Sequence, residues 1–325
     1  MELKTDCDIA VIGGGVAGMT AGIYGALGGL KTVVFEKEGV GGQIALASIV
    51  ENYPGVVEPA DGPTLAARMR EQVEKFGGEI VSAEVNQLDA PQDSAIRILH
   101  TSSGDMTALA VVIATGAHHR ELGIPGEREF VGKGVSRCAY CDGFFFKDKD
   151  IVVVGGGNSA VQESLHLAKI CGAIRLVHRR DRLRADEYLQ HQLHEFDHKV
   201  TYIWDTVCTS INGNQVVKSA ALKNVKTGEE QELPTSAVFI FIGFDPTTAF
   251  LGDTIERDAE GYIVTDRQMR TSAPGVYACG DVRNKVLRQM VVACGEGAMA
   301  AVAAQDHVAR LRGGGYEQTT SKPPA

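Results

Sequence analysis

The sequence predicts an α/β chain of two Rossmann-like three-layer domains, the second inserted into the first. Three observations carry that expectation. An apolar strand running into a glycine-rich turn and a helix occurs twice in matched register, and two further apolar strands end on glycine where the chain would cross between domains. The length of 325 residues suits two domains at roughly 100–200 residues each.

The first copy starts at Asp8-Ile9-Ala10-Val11-Ile12, runs into Gly13-Gly14-Gly15-Val16-Ala17-Gly18, continues as a helix of small residues to about Leu27, and returns as a strand from Thr32 to Phe35. This is a β-α-β unit. Gly13, Gly15 and Gly18 match G-x-G-x-x-G, where the backbone turns tightly, a pyrophosphate approaches the helix N-terminus, and helix packs close on strand. Glu36 ends the second strand, 23 residues past Gly13. An acid at about that separation hydrogen-bonds a ribose 2′-hydroxyl.

The second copy runs from Ile151-Val152-Val153-Val154 into Gly155-Gly156-Gly157-Asn158-Ser159-Ala160, then a helix to about Lys169 and a strand from Ile174 to Val177. In the place of Glu36 stands His178, followed by Arg179, Arg180 and Arg184. A carboxylate suits a neutral diol and repels phosphate, whereas guanidinium groups grip a 2′-phosphate through charge-assisted bonds of about 1.5–3 kcal/mol each. The first turn is therefore expected to take a dinucleotide with a free 2′-hydroxyl, and the second one bearing a 2′-phosphate. A single glycine turn is weak evidence; two in register, with opposite charge at the ribose position, are much stronger.

The intervening sequence holds a helix from about Pro63 to Phe76 and β-rich segments closing on Val111-Val112-Ile113-Ala114-Thr115-Gly116. A similar mixed section after the second copy closes on Val238-Phe239-Ile240-Phe241-Ile242-Gly243. Both precede a proline, Pro125 and Pro246, and read as crossings between domains. The expected limits are 1–117 and 245–312 for the outer domain, 118–244 for the inserted one, and a flexible tail over 313–325. A last helix of small residues spans about Gln289 to Leu311.

The net charge of −9 argues against nucleic acid or an anionic membrane as partner. No apolar run approaches the roughly 18 residues of a membrane span, and the start lacks a signal-like region, so a soluble cytoplasmic protein is expected. Of seven cysteines, Cys7, Cys171, Cys208, Cys279 and Cys294 lie beside apolar segments and read as buried thiols. Cys138 and Cys141 differ, forming a C-x-x-C followed at once by Asp142. Such a pair lowers the pKa of its more reactive thiol and closes into a disulfide, a two-electron store matched to a hydride donor. The adjacent carboxylate can move the protons. Half a zinc site is the competing reading, but zinc needs about four ligands and no second C-x-x-C exists; no metal is expected.

With these residues in view, the chain resembles the low-molecular-weight thioredoxin reductases from Asp8 to about Arg312. The motifs are GGGVAG (Gly13–Gly18), GGQ (Gly41–Gln43), ENYPG (Glu51–Gly55), ATGA (Ala114–Ala117) and CAYCDG (Cys138–Gly143). GGGNSA (Gly155–Ala160), HRRDRLRA (His178–Ala185), ACGD (Ala278–Asp281) and the pair Arg288-Gln289 follow in the family's order. The resemblance implies FAD/NAD(P)-binding domains, with FAD lined by Gly13, Gly15, Gly18, Glu36, Gly42, Gln43, Asn52, Ala114, Gly116, Asp281, Arg288 and Gln289. It implies NADPH at Gly155, Gly157, Asn158, Ser159, His178, Arg179, Arg180 and Arg184. Cys141 would meet the flavin, Cys138 would attack the disulfide of thioredoxin or a thioredoxin-like protein, and Asp142 would be the acid/base. A homodimer, and rotation of the inserted domain about hinges near Gly116 and Gly243, are further implications.

Two departures stand out: Tyr140 between the cysteines, where the family usually has a small residue, and Leu287, where a tyrosine often precedes Arg288. The family also includes members reduced by ferredoxin or carrying a second flavin, for which Tyr316 in the tail would be a candidate aromatic; the intact second glycine turn and its arginines favour NADPH. A ferredoxin- or flavodoxin-NADP reductase has no need of the cysteines. An alkyl-hydroperoxide reductase flavoprotein would need an additional N-terminal module. A regulatory nucleotide-binding protein with inert cysteines is the non-enzymatic alternative.

Overall fold

The computed structural model describes residues 4–47, 50, 52–56 and 60–314. Glu51 and the tail with Tyr316 lie outside the described residues. The chain divides into two compact units, one made of the residues up to His118 together with those from Asp245 onward, the other of His119–Phe244. Elements are numbered along the chain.

The outer unit starts with β1 (Cys7–Ile12), α1 (Val16–Leu27), β2 (Thr32–Glu36), α2 (Gly62–Lys75), β3 (Glu79–Ser82), β4 (Val85–Asp89), β5 (Arg97–Thr101) and β6 (Gly104–Ile113). It resumes after the insertion with β17 (Val276–Ala278) and α6 (Met290–Leu311). Its sheet runs β3-β2-β1-β6-β5-β4, with β17 also on β6. The pairs β3-β2, β2-β1, β1-β6 and β6-β17 are parallel, while β4, β5 and the start of β6 form an antiparallel meander. A parallel sheet has both faces covered, and its strands read as near-continuous apolar runs. Ile9 and Val11 accordingly pack with Met19 of α1 and Ala300 and Ala304 of α6, while Ala10 and Ile12 face Leu88, Leu99, Ile255 and Ile263. Helix α2 starts where Asp61 accepts a hydrogen bond from Thr64 N at 2.7 Å, an N-cap satisfying an amide with no partner in the helix.

The inserted unit is entered through β7 (Ala117–His119) and left through β16 (Phe244–Pro246). It contains β8 (Val135–Ser136), the one-turn α3 (Ala139–Asp142), β9 (Ile151–Gly155), α4 (Asn158–Ala168), β10 (Ile174–Val177), α5 (Glu187–His194), β11 (Val200–Ile203), β12 (Thr206–Gly213), β13 (Val217–Asn224), β14 (Glu230–Pro234) and β15 (Ala237–Phe241). Strands β11-β10-β9-β15-β8 form a parallel sheet, and β12-β13-β14 an antiparallel one. The period of two along β9 again separates the layers. Ile151 and Val153 cluster with Ala160, Val161 and Leu167 of α4, whereas Val152 and Val154 cluster with Ile211, Ala220 and Leu222 of the antiparallel sheet. Each unit ties the ends of its own chain together, Thr247 N–H donating to Gly116 O at 3.0 Å in the outer one and Arg120 N–H to Gly243 O at 3.0 Å in the inserted one.

The five cysteines outside the C-x-x-C are free and buried. Burial pushes the Cys7 thiol up to about 12 and those of Cys171 and Cys208 up to about 11, so they stay protonated near neutral pH. Among the described residues no helix is long and apolar enough to cross a membrane, and no group of three or more His, Cys, Asp or Glu side chains could hold a metal.

Leu167 is fully buried in the α4 layer of the inserted unit. Leu167→Ala removes its contacts and leaves a cavity, at a cost of about 2–5 kcal/mol. Thermal denaturation of the variant is expected to show a clearly lowered midpoint; an unchanged one would contradict this packing.

Candidate active site

Three constellations carry the chemistry, two glycine turns and the C-x-x-C turn. Each glycine turn sits at the carboxyl end of its parallel sheet, where open α/β sheets bind ligands. Gly13 has φ +106°, and a Cβ there would lie 2.5 Å from Ala114 O at the end of β6. Glycine is required on both counts. Two residues on, Gly15 faces open space, with no atom within 4 Å of its Cβ position. That space, at the start of α1, is what a pyrophosphate approaching the backbone needs.

Glu36 lies beside this turn and accepts hydrogen bonds from Gly14 N at 2.6 Å and Glu38 N at 2.9 Å. The loop with Gly42 and Gln43 folds onto the turn: Gly41 N–H donates to Gly14 O at 2.7 Å, and the Cβ position of Gly42 lies 3.2 Å from Gly15 Cα. Asn52 and Gln289, 237 residues apart, meet in a 3.1 Å side-chain hydrogen bond. Asp281 is ion-paired to Lys285 at 2.8 Å, and Glu296 accepts from Gly280 N at 2.8 Å while pairing with Arg283 at 2.6 Å and Lys285 at 3.4 Å. Arg288 lies 4.5 Å from the ring centroid of Tyr262. Lys285 and Glu296 were not legible as site residues, because their signal is a contact between the ACGD turn and α6.

The second turn repeats the geometry with different chemistry. Gly155 has φ +155°, and its Cβ position lies 2.4 Å from Phe241 O at the end of β15. Gly157 opens on space in which the only atom within 4 Å is Arg184 Nη2, at 4.0 Å. Arg184 N–H donates to Gly156 O at 2.7 Å, tying the arginine segment to the turn. Arg179, Arg180 and Arg184 are exposed, and among the described residues none of them enters an ion pair. Free guanidinium groups beside an open glycine turn suit a 2′-phosphate.

His178 is 4% exposed and lies under the turn, its ring atoms 2.3 Å from the Cβ position of Gly156. Burial first, then the charges of Arg184, Arg180 and Arg179, hold His178 below its usual pKa, so it is neutral near pH 7. Asn158 is engaged with Asp186: its Nδ2 donates to the carboxylate, and its Oδ1 accepts from Asp186 N, both at 2.8 Å. Ser159 is exposed at the first turn of α4.

In the inserted unit Cys138 and Cys141 are joined in a disulfide, with Cys138 half-buried and Cys141 exposed. Cys138 is the N-cap of α3, and its sulfur accepts from Cys141 N at 3.2 Å. Asp142 Oδ2 accepts a 2.6 Å hydrogen bond from Ser136 Oγ, whose oxygen accepts from Cys138 N at 3.1 Å. Burial pushes the Asp142 carboxyl above the usual carboxylate range, opposed by the Ser136 hydrogen bond. A carboxyl so poised can hold and release a proton nearer neutral pH than a solvated one. Ser136 was missed because its role depends on reaching across the turn.

Two glycine-turn nucleotide folds and a disulfide-forming C-x-x-C on one chain define a nucleotide-dependent disulfide oxidoreductase. The family model described as pyridine nucleotide-disulphide oxidoreductase matches residues 7–297. Thioredoxin reductase of Treponema pallidum is 44% identical over 310 residues, covering 95% of this chain and 100% of the relative. The crystal structure of thioredoxin reductase from Streptococcus pyogenes matches at 42% identity and a TM-score of 0.87, covering 94% of this chain and 98% of that one. Thioredoxin reductase from Giardia duodenalis matches at 36% identity and 0.87, covering 93% and 99%. The chain belongs to the pyridine nucleotide-disulphide oxidoreductase family, among its bacterial-type thioredoxin reductases.

Ser136→Ala removes the hydrogen bond that favours the Asp142 carboxylate, so the titration of that carboxyl is expected to move to higher pH. Infrared difference spectroscopy of the protonated carboxyl band across a pH series reads the shift; an unmoved or lowered titration would contradict the assigned hydrogen bond.

Proposed function

We propose that the chain is an NADPH-dependent flavoprotein disulfide reductase, passing electrons from NADPH through FAD to Cys138/Cys141 and on to thioredoxin or a thioredoxin-like protein. The observation that carries this is the Cys138–Cys141 disulfide standing in the same unit as a glycine turn fronted by three arginines that enter no ion pair among the described residues. The ferredoxin-reduced and second-flavin readings leave those arginines without a task.

Gly13, Gly15 and Gly18, the Glu36 carboxylate, Gly42, Gln43, Asn52, Ala114, Gly116, Asp281, Arg288 and Gln289 would hold FAD. The open backbone at Gly15 and the acceptor at Glu36 fit a pyrophosphate and a ribose diol. When bound, FAD supplies the relay between a two-electron hydride donor and a disulfide. Gly155, Gly157, Asn158, Ser159, His178, Arg179, Arg180 and Arg184 would hold NADPH, the arginines selecting its 2′-phosphate.

Opening the Cys138–Cys141 bond takes two electrons and two protons, and Asp142 would move a proton to and from the pair. The Cys138 thiolate then attacks the partner's disulfide, forming a mixed disulfide. Cys141 attacks Cys138 in turn, closing the intramolecular bond and releasing the partner as a dithiol. Gly116 and Gly243, both at positive φ, would be the hinges by which domain 118–244 presents nicotinamide and dithiol in turn. A cytoplasmic location accords with this reading, and a homodimer is supported by exposed apolar residues on the outer unit, Tyr24 and Leu27 on α1 and Val291, Met299 and Val302 on one face of α6.

Anaerobic titration with NADPH tests the function directly. The flavin band is expected to bleach rapidly while electron equivalents for one flavin and one disulfide are consumed; slow or absent bleaching would overturn the NADPH assignment. Cys138→Ser is expected to keep flavin bleaching and lose thioredoxin reduction. Replacing Arg179 and Arg180 with alanine should weaken NADPH by about 1.5–3 kcal/mol for each charge-assisted bond lost and leave NADH affinity little changed. Equal weakening of both cofactors would refute the phosphate contact.

A further inference from the structure

The helix carrying the redox pair spans only Ala139–Asp142, a length that does not hold itself helical in water. One face of α4 holds it instead. Glu163 Oε2 accepts from Ala139 N at 2.8 Å, at the first residue of the turn. His166, three residues further on, stacks on the ring of Tyr140 with centroids 4.0 Å apart and 27° between planes. Leu167 continues the face, 3.0 Å from the Cβ position of Gly143 just past the turn. Positions 163, 166 and 167 follow the i, i+3, i+4 spacing of one helix face. The same helix begins at the glycine turn of the inserted unit.

We propose that Glu163 and His166 are positioning residues for Cys138/Cys141, clasping the turn from α4 so that the two sulfurs stay within bonding reach once the disulfide is open. This rests on the redox reading of the pair given above. In the oxidised protein the sulfur–sulfur bond ties the turn together. Reduction breaks that bond, adds two electrons and two protons, and leaves the turn to the Ser136–Asp142 hydrogen bond and the α4 clasp. Two thiols held close have a high effective concentration for each other. Reclosure is then favoured, and the dithiol is a stronger reductant toward its partner. Tyr140 gains a task from this geometry: its ring, in place of a small residue, is the handle by which His166 holds the middle of the turn.

The test uses the holoprotein equilibrated with reduced and oxidised glutathione, with Cys138 and Cys141 read by alkylation and mass spectrometry. That readout is independent of NADPH and thioredoxin and separates this pair from the five buried cysteines. Combined Glu163→Leu and His166→Leu is expected to lower the equilibrium constant for disulfide closure about tenfold, equivalent to about 30 mV for a two-electron couple. Glu163→Gln with His166→Phe, which keeps an acceptor oxygen and a stacking ring, is expected to restore most of it. Tyr140→Ala, at a side chain already 46% exposed, removes the stack from the other partner without touching the core and is expected to lower the constant severalfold. Unchanged constants in Tyr140→Ala and the double leucine variant, or an equal loss in the glutamine–phenylalanine variant, would overturn the clasp. A wild-type pair that does not titrate reversibly would instead overturn the redox reading on which it rests.

Discussion

A backbone carbonyl closing on a glycine is the constraint on which the rest of this molecule depends. At the end of β6, Ala114 O occupies the place that a Cβ on Gly13 would need; at the end of β15, Phe241 O does the same at Gly155. Each contact brings the central strand of its sheet against a parallel neighbour where the chain must turn into a helix. Each therefore leaves a bare, side-chain-free turn at the mouth of the sheet. An open position at Gly15 or Gly157, next to a helix start, is useful only because the preceding glycine lets the turn be that tight.

The two turns then diverge through one residue. In the outer unit the end of β2 presents Glu36, a carboxylate held by two backbone amides. In the inserted unit the equivalent position is His178, buried, neutral and surrounded by arginine charge. The imidazole fills the space under the turn, and the exposed guanidinium groups stand around it. One scaffold thereby offers an acceptor in one unit and cations in the other. The chemistry of the side chains beside each turn separates them, not a difference in fold.

The redox turn depends on α4 in the same way. A four-residue helix has too few internal hydrogen bonds to define where its sulfurs sit. Its geometry comes from outside: Ser136 bridging the Cys138 amide to the Asp142 carboxylate, Glu163 on the Ala139 amide, and the Tyr140–His166 stack. Burial of Asp142 follows from this packing, and the raised pKa follows from the burial.

The sequence by itself determined the α/β class, the paired glycine turns, the acid that ends the second strand of one unit and the arginines that follow the second strand of the other, and the C-x-x-C followed by an acid. Those features are local: the period of a strand, the spacing of glycines and the order of residues along one segment are set before anything packs. The limits of the helices expected from the sequence were legible to within a residue or two, as with the expected Pro63–Phe76 and the observed Gly62–Lys75, whereas α3 and α5 were not expected. Only the tertiary structure brought Asn52 to Gln289 across 237 positions, Lys285 and Glu296 to the ACGD turn, and Glu163 and His166 to the redox pair. Such residues leave no mark in sequence because a Glu or His on an amphipathic helix looks the same whether its face meets solvent or an active turn. Which neighbour it meets is decided by how the layers stack, and that is a property of the folded chain alone.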